Sequence, residues 1–173
     1  MREDEAVLEV EPRSQVRTQH SRRARLCSDQ TRRSSASRPV GLVNSNCFVC
    51  GLYNPSGLHL TFERGPNGVE AEWTPNEAWE SFQGTVHGGI ITTVLDEAMS
   101  KAIIASGWQA FTAELKVRFH GRTSPGERLR VHGWVIERRK RRILAEARLV
   151  TEVETERAHG WATFLVPRNR SLS

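Results

Sequence analysis

The segment Val86–Ile104, with the sequence VHGGIITTVLDEAMSKAII, decides the fold of this chain. Its apolar residues recur at the spacing of an α-helix, and they cover most of the helix circumference rather than one stripe. Such a helix has to be buried. Polar residues interrupt the segment too often for it to span a bilayer, so we expect the burial to come from the rest of the protein. Asp96 and Glu97, in the middle of this apolar helix, are the residues whose roles need explanation.

After the helix, the periodicity changes from about 3.6 residues to about 2 residues, which indicates β-strands. The clearest strand is Phe111–Phe119, in which apolar and polar residues alternate. Further strands are predicted at residues 58–62, 69–73, 128–137, 143–153 and 158–167. A loop is predicted at residues 74–85, and Gly107 is expected to end the helix. The pattern predicts an α+β fold in which an antiparallel β-sheet wraps around one long central helix.

The chain has 173 residues, and we expect one folded domain at residues 44–170. Residues 1–43 are rich in Arg and Ser, with few aromatic residues and no sustained period, so a disordered tail is predicted. Residues 1–40 carry nine Arg and six acidic residues, which is +3 of the total charge of +5. Because no aromatic residues interleave these charges, a solvated arm is favoured over a nucleic-acid or membrane contact. Neither nucleic acid nor a membrane is expected as a partner.

Three cysteines, at positions 27, 47 and 50, are too few for a disulfide framework, and no segment resembles a secretory signal. A cytoplasmic location is therefore expected. Residues 13–38 are rich in Arg and Ser and leave a mitochondrial location as the alternative, although five acidic residues among the first eleven argue against it.

Cys47 and Cys50 form a single C-x2-C pair. Because no second pair follows, packed thiols are favoured over a zinc or redox site, and no metal is predicted.

The start and the middle of the helix carry the candidate chemistry. Gly88 and Gly89 have no side chains, so a carbonyl oxygen can approach the free N–H groups of the first turn, where the helix dipole would stabilise an oxyanion. The alternative is that the glycines only permit a tight turn. Asp96 lies among apolar residues, where desolvation would raise its pKa toward that of a general base. Glu97 stands four residues before Lys101, so an exposed ion pair is the simpler role for it.

The helix start and Asp96 differ in their phase on the helix. His87 and Asp96 are nine residues apart, which corresponds to about 900° of rotation and a rise of roughly 13 Å. One pocket in one subunit cannot easily use both. If they cooperate, the natural arrangement is a two-fold dimer in which Asp96 of one subunit faces the helix start of the other.

Three segments form a recognisable set. They are CFVCG followed by NPSGL within residues 47–58, FQGTVHGGIITTVLDEAM at residues 82–99, and TAELKVRFHGRTSPGE at residues 112–127. Together they make residues 46–167 resemble the hotdog-fold thioesterases, specifically the phenylacetic-acid-degradation (PaaI-type) branch of the acyl-CoA thioesterase superfamily. The resemblance implies a hotdog fold, hydrolysis of an acyl-CoA thioester to a carboxylic acid and CoA, and a homodimer or homotetramer with active sites between subunits.

The resemblance also implies roles for individual residues. Asp96 would act as nucleophile or general base toward the thioester, and the backbone N–H of Gly88 would polarise the thioester carbonyl. Thr112 would position the attacking water, with an ordinary polar strand residue as the alternative. His87 is expected mainly to hold the loop by hydrogen bonds, with a direct catalytic role as the alternative.

Two groups of substrate-binding candidates follow. Related enzymes often carry Asn or Gln six positions before the motif His, where this chain has Ser81; Gln83 would substitute if the loop is shifted. The phosphates of CoA need cations, and those available after the helix are Lys116, Arg118, His120 and Arg122. The basic run at residues 138–142 is favoured as a solvated turn over a phosphate site.

No cofactor is expected, because CoA is part of the substrate. The alternative function is a non-catalytic acyl-CoA-binding or regulatory hotdog module.

Overall fold

The computed structural model describes Val40 and residues 46–168, and these residues form one long α-helix packed against an antiparallel sheet. In chain order the elements are β1 (Glu63–Gly65), β2 (Gly68–Trp73), β3 (Glu80–Phe82), β4 (Thr85–Val86), α1 (Gly88–Ala105), β5 (Phe111–Phe119), β6 (Leu129–Arg139), β7 (Arg142–Thr151) and β8 (Glu156–Leu165). Six strands form one sheet in the order β1-β2-β6-β7-β8-β5, and β3 and β4 form a separate pair. The predicted α+β hotdog fold is confirmed.

Helix α1 lies within two residues of the predicted segment Val86–Ile104 and has recognisable ends. Its first turn is capped by His87, whose Nδ1 accepts a hydrogen bond from the Gly89 N–H at 2.8 Å. At the other end, Gly107 has a φ of 87°, in the left-handed region that favours glycine, and its N–H donates to the Ile104 carbonyl at 2.9 Å. The predicted stop at Gly107 is therefore confirmed.

The helix lies directly on the sheet because glycine occupies the points of closest approach. A Cβ atom on Gly133 of β6 would lie 2.3 Å from the carbonyl oxygen of Ala98, and one on Gly160 of β8 would lie 3.4 Å from the Cβ of Leu95. Around these contacts the central residues of α1 are wholly inaccessible to solvent; they are Val94, Leu95, Ala98 and Met99. This close packing is what buries the apolar circumference of the helix.

The first predicted strand differs from the structure. Leu58, Leu60 and Phe62 are buried as their alternation indicates, but the backbone of this stretch does not pair with β2. The Leu58 N–H donates to the Phe48 carbonyl at 2.8 Å, and the Leu60 N–H donates to the Val49 carbonyl at 2.9 Å. Only the short β1 pairs with β2 in a hairpin. The prediction was wrong because alternation reports which side chains are buried, not which segment the backbone pairs with.

Residues 74–85, predicted as a loop, contain local structure. Glu77–Trp79 form a 3-10 helix, which Asn76 caps by accepting a hydrogen bond from the Ala78 N–H at 2.8 Å. Strands β3 and β4 follow and lead into α1. The later strands β6, β7 and β8 lie within two residues of their predicted limits.

Strand β5 lies at an end of the six-stranded order and pairs with β8. A β-bulge interrupts this pairing between Thr112 and Glu114. Thr112 is opposite Phe164 and, after the bulge, Leu115 is opposite Ala162; both of these β8 residues are buried. The bulge therefore places Thr112 on the helix side of the sheet together with Leu115, although a regular strand would put them on opposite faces.

The predicted tail at residues 1–43 lies outside the described residues except for Val40. That residue is buried, and its N–H donates to the Phe62 carbonyl at 2.8 Å. Among the residues that the structure describes, no helix is both long enough and apolar enough to cross a membrane.

The contact of α1 with Gly133 generates a stability prediction. Gly133→Ala should lower the free energy of unfolding by about 2 kcal/mol or more, because the new Cβ would overlap the Ala98 carbonyl and force the helix away from the sheet. Gly65→Ala is the matched control, since a Cβ there meets nothing closer than 3.5 Å. Urea denaturation of both variants measures the difference. Equal stabilities for the two variants would contradict the packing described here.

Candidate active site

The centre of the candidate site is the pair formed by Asp96 and Thr112. The Thr112 hydroxyl donates a hydrogen bond to the Asp96 carboxylate, with Oγ1 and Oδ1 2.8 Å apart. Asp96 lies in the middle of α1 and is half-buried, whereas Thr112 is near the start of β5 and is exposed. The carboxylate is thus held by a side chain at the open edge of the sheet, where a second molecule can reach it.

The surroundings of Asp96 alter its acidity. Burial raises the pKa of the Asp96 carboxyl, the hydrogen bond from Thr112 lowers it, and the neighbouring charge of Glu97 raises it. The net direction is upward, because desolvation penalises the charged form most strongly. A half-buried carboxylate with a raised pKa and one polar partner suits proton transfer or nucleophilic attack.

The start of α1 offers one free donor where the sequence suggested two. The Gly89 N–H is used by the His87 side chain. The hydrogen bond defines Nδ1 of His87 as the acceptor, so the neutral ring carries its proton on Nε2. Within the part of the chain that the structure describes, the Gly88 N–H has no such partner. Of the two glycines, Gly88 is therefore the candidate oxyanion donor, and the observed contact of His87 is a cap on the first turn of α1.

Phe119 is a site residue that sequence reasoning missed. It lies at the end of β5 with its side chain against the helix start, so that a Cβ on Gly88 would lie 3.3 Å from the Phe119 ring. The ring is 49% exposed. The signal in the sequence was weak, because alternation placed Phe119 on an apolar face without showing that this face ends beside Gly88.

The Gly88 N–H and the Asp96 carboxylate lie on the same helix but far from one another. Eight residues separate them, which is a rise of about 12 Å along the axis. Strand β5 contacts both places, with Thr112 at Asp96 and Phe119 at Gly88. A single chain therefore presents the two groups at two separate places along the same sheet edge.

The loop before the helix is held by Arg122. Its Nε donates to the Gly84 carbonyl at 3.0 Å, and its Nη2 donates to Gly84 at 2.6 Å and to the Gln83 carbonyl at 3.3 Å. Ser81 is exposed, and its hydroxyl lies 3.5 Å from the Thr85 carbonyl. Arg122, expected to bind substrate, thus uses two of its three nitrogens to position the loop that contains Ser81 and Gln83.

Lys116 and Arg118 are on the other face of β5. They pair with Trp161 and His159 of β8, whereas the intervening residue Val117 pairs with Gly160, which packs against the helix. Because side chains alternate along a strand, both cations point away from α1 and from Asp96. Sequence spacing placed them near the site, but the bulge puts Thr112 and these cations on opposite sides of the sheet.

The basic turn at residues 138–142 makes internal contacts. The Arg138 guanidinium lies 3.5 Å from the centre of the Trp108 ring, and Arg141 Nε donates to the Val166 carbonyl at 2.8 Å. Arg139 pairs with Glu137. These contacts use three of the side chains for local structure, in line with the turn that the sequence analysis favoured.

Glu97 has a different environment from the exposed pair expected for it. Its carboxylate lies 3.5 Å from Lys101 Nζ, which confirms the ion pair, but the two side chains are only 17% and 6% exposed. Burial alone would lower the pKa of Lys101, yet the charge of Glu97 and contacts with Cys50 raise it. Burial and hydrogen bonds to Glu97 and Cys47 raise the pKa of the Cys50 thiol to about 12. The Glu97–Lys101 pair is thus part of a polar cluster with Cys47 and Cys50.

A cleft of about 630 Å³ lies elsewhere, between β1, β2, β6 and β7. It is lined by outward-pointing side chains such as His132, Trp134 and Arg148. Asp96 and Thr112 do not line it. Its walls include Glu70 and His132, whose Oε2 and Nδ1 atoms are 3.6 Å apart, so the cleft is a separate feature from the pair at Asp96.

Part of the chain is similar in sequence to a known protein family. Residues 83–158 match the family model described as the thioesterase superfamily. A solved structure from the thioesterase superfamily is 28% identical, with a TM-score of 0.57, over 64% of this chain and 86% of that one. A search of the curated proteins found no match.

Two further solved structures share the fold. A Streptococcus mutans protein bound to acetyl-CoA is 18% identical, with a TM-score of 0.59, over 62% of this chain and 88% of that one. The Escherichia coli PaaI protein from the phenylacetic acid degradation operon is 16% identical, with a TM-score of 0.59, over 62% of this chain and 83% of that one. At these identities the two likenesses show the shared fold. Residues 83–158 are therefore similar to the thioesterase superfamily, and the described domain has the hotdog fold.

Proposed function

We propose that this protein is an acyl-CoA thioesterase in which Asp96 is the nucleophile or general base. The observation that carries the proposal is the Asp96 carboxylate, half-buried in an apolar helix and held 2.8 Å from the Thr112 hydroxyl at the edge of the sheet. A carboxylate in this setting is costly for stability alone, because desolvation is only partly offset by one hydrogen bond. A role in the reaction would explain why a carboxylate occupies this apolar part of the helix.

The proposed reaction needs an oxyanion donor as well as Asp96. The N–H of Gly88 suits this role because the helix dipole adds positive potential at the first turn. In the proposed mechanism, Asp96 either attacks the thioester carbonyl directly or takes a proton from a water that attacks it. The C–S bond then breaks, and the thiolate of CoA leaves and is protonated. If water attacked, the carboxylic acid is released directly; if Asp96 attacked, an anhydride remains on Asp96, and water hydrolyses it to the carboxylic acid and free Asp96.

The distance along α1 between Gly88 and Asp96 leads to a dimeric site. A thioester carbonyl is one small group, so it cannot contact two groups separated by about 12 Å along one helix. We propose that two copies of the chain pair with their β5 edges near one another, so that Gly88 of one copy faces Asp96 of the other. The exposed rings of Phe111 and Phe119 on β5, 61% and 49% accessible, fit a surface that a second subunit covers.

Two structural neighbours support acyl-CoA as the substrate. One is the Streptococcus mutans protein bound to acetyl-CoA, and the other is a hypothetical thioesterase protein from Streptococcus pneumoniae with coenzyme A, 16% identical with a TM-score of 0.60. At such identities they support the ligand class but not the acyl group. A module that binds acyl-CoA without hydrolysing it is the competing function, and thiol release distinguishes the two.

Substitution of Asp96 tests the reaction. Asp96→Asn keeps the shape of the side chain but removes its charge and basicity, and it should lower kcat by roughly 10²-fold or more. Short, medium and aryl acyl-CoAs provide the substrates, and a thiol reagent measures the CoA released. Glu114→Gln, on the outer face of β5, is the control and should remain active.

Equal rates for wild type and Asp96→Asn would contradict the role of Asp96. Tight acyl-CoA binding by the wild type without release of thiol from any substrate would favour the binding module instead.

Thr112 should act through Asp96. Thr112→Val removes the hydrogen bond and should reduce kcat roughly tenfold with a smaller change in KM, because the carboxylate loses its orientation. Thr112→Ser keeps the hydroxyl and should restore most of the rate. A rate for Thr112→Val equal to that of the wild type would show that the hydroxyl does not contribute.

Mixed dimers test the proposal that the site is shared. Gly88→Pro removes the N–H at the first helical position, where proline is tolerated, and Gly88→Ala adds a Cβ but keeps the N–H. Gly88→Pro and Asp96→Asn should each be inactive alone. After refolding as a mixture, about a quarter of the wild-type activity should return, since half of the dimers are mixed and each has one intact site.

Activity that does not return on mixing, although native mass spectrometry shows mixed dimers, would place both groups in one subunit. Gly88→Ala should be considerably more active than Gly88→Pro if the N–H is what matters.

A further inference from the structure

We propose that Cys47, Cys50 and Glu97 form a binding site for one zinc ion, which fastens the loop of residues 46–57 to helix α1. One sulfur from each cysteine and one carboxylate oxygen of Glu97 all lie within 4.8 Å of one another. The sequence offered only the C-x2-C pair, and a third ligand comes from a helix almost fifty residues further along the chain. The inference does not depend on the proposed thioesterase reaction.

Backbone hydrogen bonds hold the turn that carries the two cysteines. The Gly51 N–H donates to the Cys47 carbonyl at 2.9 Å, which closes a turn around Cys50. The loop is also paired with the following segment, through Leu58 to Phe48 and through Leu60 to Val49. A cysteine pair of this spacing in a tight turn is the usual half of a zinc site. The backbone segment that carries both cysteines is therefore held by hydrogen bonds that do not involve Glu97.

The distances permit a tetrahedral ion with little movement. Zinc–sulfur bonds of about 2.3 Å and zinc–oxygen bonds of about 2.0 Å place neighbouring ligand atoms roughly 3.5 to 4 Å apart. The three atoms, now within 4.8 Å of each other, need to approach by no more than roughly 1 Å, which rotation of side chains supplies. Water or another small ligand would take the fourth position.

The donor set selects the metal. Two thiolates favour a soft or borderline cation, whereas Ca²⁺ and Mg²⁺ require oxygen ligands. Carboxylate oxygen is an accepted zinc ligand beside sulfur. Zinc has no redox chemistry of its own and suits a structural link between a loop and a helix.

The charges of the cluster balance with zinc bound. When zinc binds, both thiols lose their protons to solvent, so two thiolates and the Glu97 carboxylate supply three negative charges. The zinc ion and the Lys101 ammonium, which lies 3.5 Å from Glu97, supply three positive charges. Without metal, two neutral thiols and the Glu97–Lys101 pair are also neutral. The buried Lys101 is thus compatible with both states, and binding requires no net charge in the interior.

Zinc content of the full-length protein tests the proposal. Wild-type protein is incubated with zinc and a phosphine reductant, dialysed, and analysed by native mass spectrometry and elemental analysis. The expected result is one zinc per chain, removed by a chelator. Zinc should also raise the Tm of the wild type, because it binds the folded state.

Variants distinguish this site from other ligands. Cys47→Ser and Cys50→Ser should each weaken zinc binding by ~100-fold or more, since loss of a direct ligand exceeds the 10- to 100-fold effect of outer partners. Cys27→Ser is the matched control and should retain zinc. Glu97→Gln leaves the buried Lys101 without its anionic partner, so Glu97→Asp, which keeps the charge, is measured beside it; both should bind zinc more weakly.

A spectroscopic measurement checks the ligands in the wild type. Cobalt in place of zinc should produce thiolate-to-metal absorption that disappears in Cys47→Ser. Absence of zinc from the reduced wild type would overturn the proposal, as would zinc retained equally by the Cys47→Ser and Cys50→Ser variants. Zinc that is lost from Cys27→Ser as readily as from these two would also overturn it.

Discussion

The contact between α1 and the two glycines of the sheet is the constraint on which the rest of the structure depends. Because Gly133 and Gly160 have no side chains, the helix backbone lies against β6 and β8. A Cβ atom at position 133 would overlap the Ala98 carbonyl. Burial of the helix follows from this close approach, because Val94, Leu95 and Met99 then have no accessible surface. At about 25 cal/mol per Å² of apolar area, such side chains contribute a large part of the free energy of folding.

The position of the helix determines what its polar residues can do. Asp96 points toward the end of the sheet, where the bulge in β5 turns Thr112 inward to donate a hydrogen bond to it. The same strand ends beside Gly88 with the ring of Phe119. The candidate chemistry is therefore distributed along one open edge, and an open edge is where a second subunit or a substrate can add contacts that a single chain lacks.

Two carboxylates on α1 have different surroundings, although they belong to consecutive residues. Asp96 faces a hydroxyl at the sheet edge, and Glu97 faces Lys101 and the thiols of Cys47 and Cys50. Neighbouring residues on a helix point about 100° apart, so one helix can serve two sites. The negative charge of Glu97 also adds to the upward shift of the pKa of Asp96, which couples the two sites electrostatically. A change in the charge around Glu97 would therefore shift the pKa of Asp96 without moving its carboxylate.

The sequence by itself determined the helix, its end at Gly107 and the positions of most strands, because local periodicity and glycine placement report local backbone structure. It also singled out Asp96, since a carboxylate in an apolar helix is conspicuous without any coordinates. Only the tertiary structure decided the rest. The bulge that turns Thr112 inward, the use of Arg122 to hold a loop and the meeting of Cys50 with Glu97 all join segments that are distant in the chain. Such contacts depend on how elements pack, and periodicity along the chain carries no information about that.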